Sequence, residues 1–191
     1  LAQPCDPEER RLLESYAAEE EGHAQLIRWH FEQRSQALGK PFWIQRLFKL
    51  ATSRQTMLQQ MYVVEVLAAV FYGAMAAHTK DPEARALIRR LLRDEARHIR
   101  LARELLAREL ARASFAGRLK ARVFATGLTL GMGVTAWVQA RQLAPVLGET
   151  GFRYSKKLIR ILTADLDALF RPPSEGHRPL GWWWSSAAST A

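Results

Sequence analysis

Cysteine is almost absent from this 191-residue chain, with Cys5 standing alone. A single thiol excludes an internal disulfide framework and any zinc or iron–sulfur site built from cysteines. A reducing, cytoplasmic setting is the expected compartment. Histidine is scarce too, at five residues, so a pattern that uses two of them stands out. Alternating strand-like runs between turn residues are missing, which leaves no material for a sheet. No basic segment followed by an apolar run and a small-residue cleavage site opens the chain, as a secretory signal would. Long uncharged runs are also rare. The longest, residues 123–140, is short for a membrane span and is diluted by Gly127, Gly131, Gly133, Thr126, Thr129 and Thr135. A buried helix is the expected form of that run, and an integral membrane protein is not expected.

What is present suits one globular domain. Hydrophobic residues make up 48% and charged residues 25%, enough for a core and too balanced for wholesale disorder. Lys and Arg number 28 against 19 Asp and Glu, a formal charge of +9. That excess attracts acidic partners in general: nucleic acid, an anionic membrane surface, an acidic carrier protein or an anionic small molecule. It is equally compatible with arginines that occupy solvated helix faces.

Ala, Leu, Glu, Arg and Gln dominate, and these are strong helix formers, so the expected fold class is all-α. The first helix opens at Asp6-Pro7-Glu8-Glu9, with Asp6 as N-cap, Pro7 in the first turn and Glu9 closing a capping box. It is expected to run to about Leu38 and to stop at Gly39-Lys40-Pro41. A short amphipathic piece follows, with Phe42, Trp43, Ile44, Leu47, Phe48 and Leu50. Further helices are expected over residues 53–78, 82–113, 119–147 and 152–170, with Gly117 loosening the chain before the fourth. Arg171-Pro172-Pro173 stops the last. Residues 171–191 form a tail of different composition that contains Trp182, Trp183 and Trp184. The expected organisation is a helical bundle over 1–170 and a Pro/Trp-rich tail over 171–191.

The informative feature is an internal repeat. Asp6-Pro7-Glu8 recurs as Asp81-Pro82-Glu83, Glu20 as Glu95 and His23 as His98, each 75 positions later. Arg10, Leu12, Leu26 and Arg28 recur at Arg85, Leu87, Leu101 and Arg103. Two helices therefore start alike and carry Glu-x-x-His at the same depth. Residues three apart on a helix share a face, so a carboxylate and an imidazole at this spacing can both reach one metal ion. A third group joins them on the second long helix. Glu65 is the lone acid among Val63, Val64, Val66, Leu67, Ala68 and Ala69, a position that is costly to bury without a partner or metal.

The run Glu65-x29-Glu95-x-x-His98 and its repeat at Glu20 and His23 resemble the ferritin-like di-iron carboxylate superfamily. Asp94-Glu95-Ala96-Arg97-His98 looks like that family's fourth-helix motif, and the likeness covers about residues 6–106. The resemblance implies a ferritin-like four-helix bundle with additional C-terminal helices. It also implies two iron ions, with manganese as the alternative, held by Glu20, His23, Glu65, Glu95 and His98. Glu20, Glu65 and Glu95 are the implied catalytic carboxylates. The family pattern has one more Glu, which the repeat places eleven positions before Leu1. The expected reading is that most of a first bundle helix lies upstream. An incomplete native site and a ligand from a second chain are the alternatives.

Single motifs of this kind have ordinary explanations. Glu-x-x-His is common on solvated helix faces, and Glu19-Glu20-Glu21 looks solvent-facing by itself. Asp94 suits either a hydrogen bond to a ligand histidine or an ion pair with Arg97 or Arg90. Tyr16 and Tyr62 suit either the lining of the site or the core. His30 reads as a boundary residue, and His78 and His177 carry no assigned chemistry. Some oxygenases of the superfamily carry an extra histidine one turn before the second motif. Here that position is Leu91, so the likeness does not extend to that subgroup. Ala68, Ala69, Gly73 and Ala76 leave room near Glu65 for oxygen or substrate, or allow close helix packing.

The resemblance implies a non-haem di-iron oxidase or oxygenase that activates dioxygen on an organic substrate, small or carrier-bound. An acidic carrier protein or RNA fits the basic balance, and a homodimer is an allowed assembly. A ferroxidase or peroxide-scavenging iron protein is the second reading. A metal-free helical binding module is the third.

Overall fold

A computed structural model describes residues 6–33, 53–147 and 151–170, and these are helical apart from short connections. The elements are α1 (Pro7–Gln33), α2 (Arg54–His78), α3 (Pro82–Arg112), α4 (Phe115–Leu147) and α5 (Gly151–Phe170). The fold class is all-α, as the composition predicts. The expected end of the first helix near Leu38, the apolar piece at 42–50 and the tail at 171–191 lie outside the described residues.

Local chemistry explains where the helices start. Asp6 Oδ1 accepts from the Glu8 N–H at 3.0 Å, and Asp81 Oδ1 accepts from Glu83 N–H at 2.9 Å and Ala84 N–H at 3.3 Å. The repeated Asp-Pro-Glu thus caps both helices in the same way. Glu9 does not act as a capping-box residue; its buried carboxylate pairs with Arg54. The fourth helix begins at Phe115, four positions before the expected Leu119. Ser114 supplies the reason: its Oγ accepts from Gly117 N–H at 3.2 Å and its carbonyl from Arg118 N–H at 2.9 Å. Gly117 therefore sits in the first turn of α4 instead of breaking the chain.

The chain divides into two compact units, Leu1–Arg54 and Gln55–Ala191. In the first, α1 is the described element. In the second, α2 is central. Leu58, Tyr62, Val63 and Val66 are wholly inaccessible to water, and a helix apolar on every side belongs in a core. Each such large side chain contributes about 1.5–3 kcal/mol on burial. Length and composition alone would let α2 cross a membrane, and 56% of its apolar window is buried inside the protein. Gln59 Nε2 donates to the Ala121 carbonyl at 2.8 Å, tying α2 to α4. The Tyr62 hydroxyl donates to Asp165 Oδ2 at 2.7 Å, tying α2 to α5. The amphipathic helices α3 and α5 turn one stripe inward, with Ile88, Leu91, Ile99 and Leu106 on α3 and Tyr154, Leu158, Leu162 and Leu166 on α5.

α4 and α5 pack closely at Gly133. A Cβ there would lie 2.4 Å from Ile159 Cδ1 and 2.6 Å from its Cγ1. The Ser155 Oγ donates to the Gly133 carbonyl at 2.7 Å and holds the two backbones at that distance. Gly127, by contrast, has nothing within 4 Å of an added Cβ. Gly133→Ala is therefore expected to destabilise the protein by about 1–3 kcal/mol through overpacking. Gly127→Ala is expected to stabilise it by about 0.5–1 kcal/mol through helix propensity. Urea denaturation of the two variants checks the opposite signs.

Candidate metal centre

The same periodicity that builds the core of the second unit brings three ionisable groups into it. On α3, Leu91, Glu95, His98 and Ala102 fall on one face at helical spacing, and all four are buried. On α2, Leu58, Tyr62, Glu65 and Ala69 do the same. Glu65 and Glu95 are 2% exposed and His98 is 3% exposed. His98 Nδ1 lies 3.7 Å from Glu65 Oε2 and 3.8 Å from Glu95 Oε2.

Those separations exceed a hydrogen bond. They match the spacing of donors around a shared ion. Nitrogen and oxygen ligands sit about 2.1 Å from a transition metal, so neighbouring ligand atoms lie about 3–4 Å apart. The groups are hard carboxylates plus one imidazole, in a pocket nearly closed to water. The donor set therefore fits a metal ion.

The first unit carries the other copy of the motif. On α1, His23 Nδ1 and Glu20 Oε1 lie 3.2 Å apart. His23 is buried and Glu20 half-buried, whereas Glu21 is exposed and accepts from Gln25 Nε2 at 3.1 Å. The acidic run Glu19-Glu20-Glu21 is thus not a uniformly solvated face. Each unit by itself holds a Glu/His pair of metal-ligating type, Glu20 with His23 and Glu95 with His98.

Other residues singled out in the sequence have different settings. Asp94 pairs with Arg97 at 2.8 Å, the helix-face ion pair. Tyr62 is a core residue whose hydroxyl is engaged by Asp165. Tyr16 is half-buried, Leu91 is in the core and His78 is exposed at the end of α2. The side chain of His30 and all of His177 lie outside the described residues. Among the described residues, an added Cβ at Gly73 would meet nothing within 4 Å.

Asp165 is a buried acid that sequence reasoning missed. Burial raises its pKa above the ordinary value, while the Tyr62 hydrogen bond and the Arg103 charge pull the other way. Burial first, then the Asp165 charge and the bond to it, push the Tyr62 phenol well above its usual range. A signal existed: Tyr154, Leu158, Leu162, Asp165 and Leu166 share one helical stripe, so an acid falls among apolar positions.

The arrangement can be set beside known proteins. A family model of the ferritin-like domain matches residues 2–108, more than half of the chain. No curated protein and no solved structure matches. The matched region takes in α1, α2 and most of α3, the three helices that carry Glu20, His23, Glu65, Glu95 and His98, and the chain belongs to the ferritin-like family.

Proposed function

We propose that this protein is a non-haem di-iron oxidase or oxygenase acting on an organic substrate. The observation that carries the reading is the convergence of Glu65, Glu95 and His98 within 4 Å while nearly sealed from water. The 75-residue repeat supports a second half, Glu20 with His23, because the ferritin-like template joins two Glu-x-x-His motifs around a dinuclear centre. These five residues would hold the metal. Carboxylate-rich, imidazole-poor ligation favours iron or manganese over copper or zinc. Bound ferrous iron supplies the capacity to bind and reduce dioxygen.

The chain's own residues do the rest. The carboxylates of Glu20, Glu65 and Glu95 offset cationic charge. The imidazoles of His23 and His98 add neutral donors that fix orientation. Leu58, Leu91, Ala69 and Ala102 share the faces that carry the site in the second unit and keep water out. The net charge of +9 supports an anionic substrate, or one borne by an acidic carrier protein or an RNA.

Anaerobic reconstitution with ferrous iron followed by exposure to oxygen tests this. The expected result is about two irons per chain, the number the template carries, and oxygen consumption that rises when a substrate is present. Failure to bind iron would overturn the reading. Rapid iron oxidation indifferent to any organic compound would assign the protein to iron handling instead.

A further inference from the structure

We propose that α4, flanked by the basic row of α5, is a docking surface for an anionic lipid bilayer. Phe115, Leu119, Val123, Leu130, Val134 and Trp137 are between 44% and 82% exposed. Their spacing places them on one face of the helix. Ala121, Ala125, Met132 and Ala136 occupy the opposite face and are at most 3% exposed. No charged residue occurs from Val123 to Ala140, a run that extends about 27 Å at helical rise. An exposed apolar strip of that length exceeds the scattered hydrophobes of an ordinary soluble surface.

The charges lie around this strip. Arg118, Lys120 and Arg122 are exposed at its N-terminal end. On α5, Arg153, Lys156 and Arg160 are exposed at spacings of three and four, one helical face. That face borders the strip, because Thr126 and Leu130 of α4 line the same shallow groove as Thr163, Asp167 and Phe170 of α5. The one acid in the groove, Asp167, is paired with Arg122 at 3.1 Å. An apolar face with cations beside it is the pattern of a helix that lies in the headgroup region and meets anionic lipid.

The packing also decides between lying on a membrane and crossing it. α4 is long and apolar enough to span. Its inner face is nevertheless committed to α2 through Gln59 and Ala121 and to α5 through Ser155 and Gly133. One face is available to lipid, so the helix lies in the interface plane. A two-fold contact whose axis crosses the strip would set the basic rows of two copies against each other, which is unfavourable. An RNA or acidic protein would match the charges and leave the apolar strip unused. Trp137, 44% exposed on the strip, has the amphipathic ring that suits an interface.

Flotation of the full chain with vesicles tests the proposal, using phosphatidylcholine alone and phosphatidylcholine mixed with phosphatidylglycerol. The chain is expected to float with the mixed vesicles, weakly with the neutral ones, and less as salt rises. Leu130→Glu/Val134→Glu and, separately, Lys156→Glu/Arg160→Glu are each expected to weaken binding at least about tenfold while leaving the melting temperature unchanged, because these positions are exposed. No flotation with anionic vesicles would overturn the proposal. So would undiminished flotation of Leu130→Glu/Val134→Glu, which would leave charge alone as the attraction. A lipid-free dimer that this variant splits would assign the strip to a second copy.

Discussion

Glu65→Gln is expected to abolish the rise in melting temperature that ferrous iron gives the wild-type protein. A ligand that binds only the folded state stabilises by about 4 kcal/mol at a thousandfold excess over its Kd. That whole increment depends on the donors around the ion. Glutamine keeps the size and shape of Glu65 and removes the anionic oxygen that lies 3.7 Å from His98. Without metal, the same variant is expected to melt no lower than the wild type. Glutamine in place of Glu65 takes one carboxylate out of a site that holds two beside a single imidazole. Charge in a site nearly closed to water is unfavourable, so function here opposes stability. Anaerobic melts of both proteins with and without ferrous iron measure the two effects. A metal-free variant that fails to fold would show that Glu65 serves structure first. Full retention of the iron-dependent rise would remove Glu65 from the ligand set.

The second large effect concerns the Tyr62–Asp165 pair, which anchors α5 to the helix carrying Glu65. Tyr62→Phe removes the donor from a carboxylate that is 3% exposed. Leaving a buried acceptor without its donor costs about 1–3 kcal/mol. The pH dependence has a definite sign. Burial raises the Asp165 pKa in the folded protein above its ordinary 3.8, so the folded state holds this proton more tightly than the unfolded chain. Its contribution to stability is therefore fully present below 3.8 and is lost as pH rises through the folded-state value. Asp165→Asn removes that loss and keeps an acceptor for the Tyr62 hydroxyl. The stability of Asp165→Asn relative to wild type is expected to grow across this window and then level off. Tyr62→Phe should extend the window upward, because the Tyr62 hydrogen bond lowers the Asp165 pKa. Urea denaturation across a pH series reads all three curves. A flat difference between Asp165→Asn and wild type would show that Asp165 is not titrating in a buried setting.

Much of this was legible in order of residues alone. Helix starts at Asp6 and Asp81 follow from capping chemistry that needs only neighbours in sequence. The Glu-x-x-His spacing is likewise local, since one helical turn sets it. The repeat made Glu20, His23, Glu95 and His98 visible as two copies of one device, and the apolar surroundings of Glu65 marked it as the odd residue on its helix. The errors were local too. Gly117 reads as a break until Ser114 is seen capping it, and Glu9 reads as a capping-box residue until Arg54 is seen beside it.

Long-range contacts were not legible, because nothing within one helix says what faces it. Asp165 lies 103 positions from Tyr62, and only packing shows that the acid is held by a phenol. The uncharged run at 123–140 reads as a buried helix from composition. In the folded protein one face of residues 123–138 is buried and the other faces outward, because α2 and α5 cover one side of α4. Sequence by itself determined the all-helical class, the repeat and the ligand types, since helix propensity, capping and one-turn spacing act between near neighbours. Tertiary structure alone decided that Glu65 meets His98 and Glu95, that Tyr62 is spent on Asp165, and which face of α4 is left to solvent. Those outcomes depend on which helices pack together, and that is a property of the whole chain.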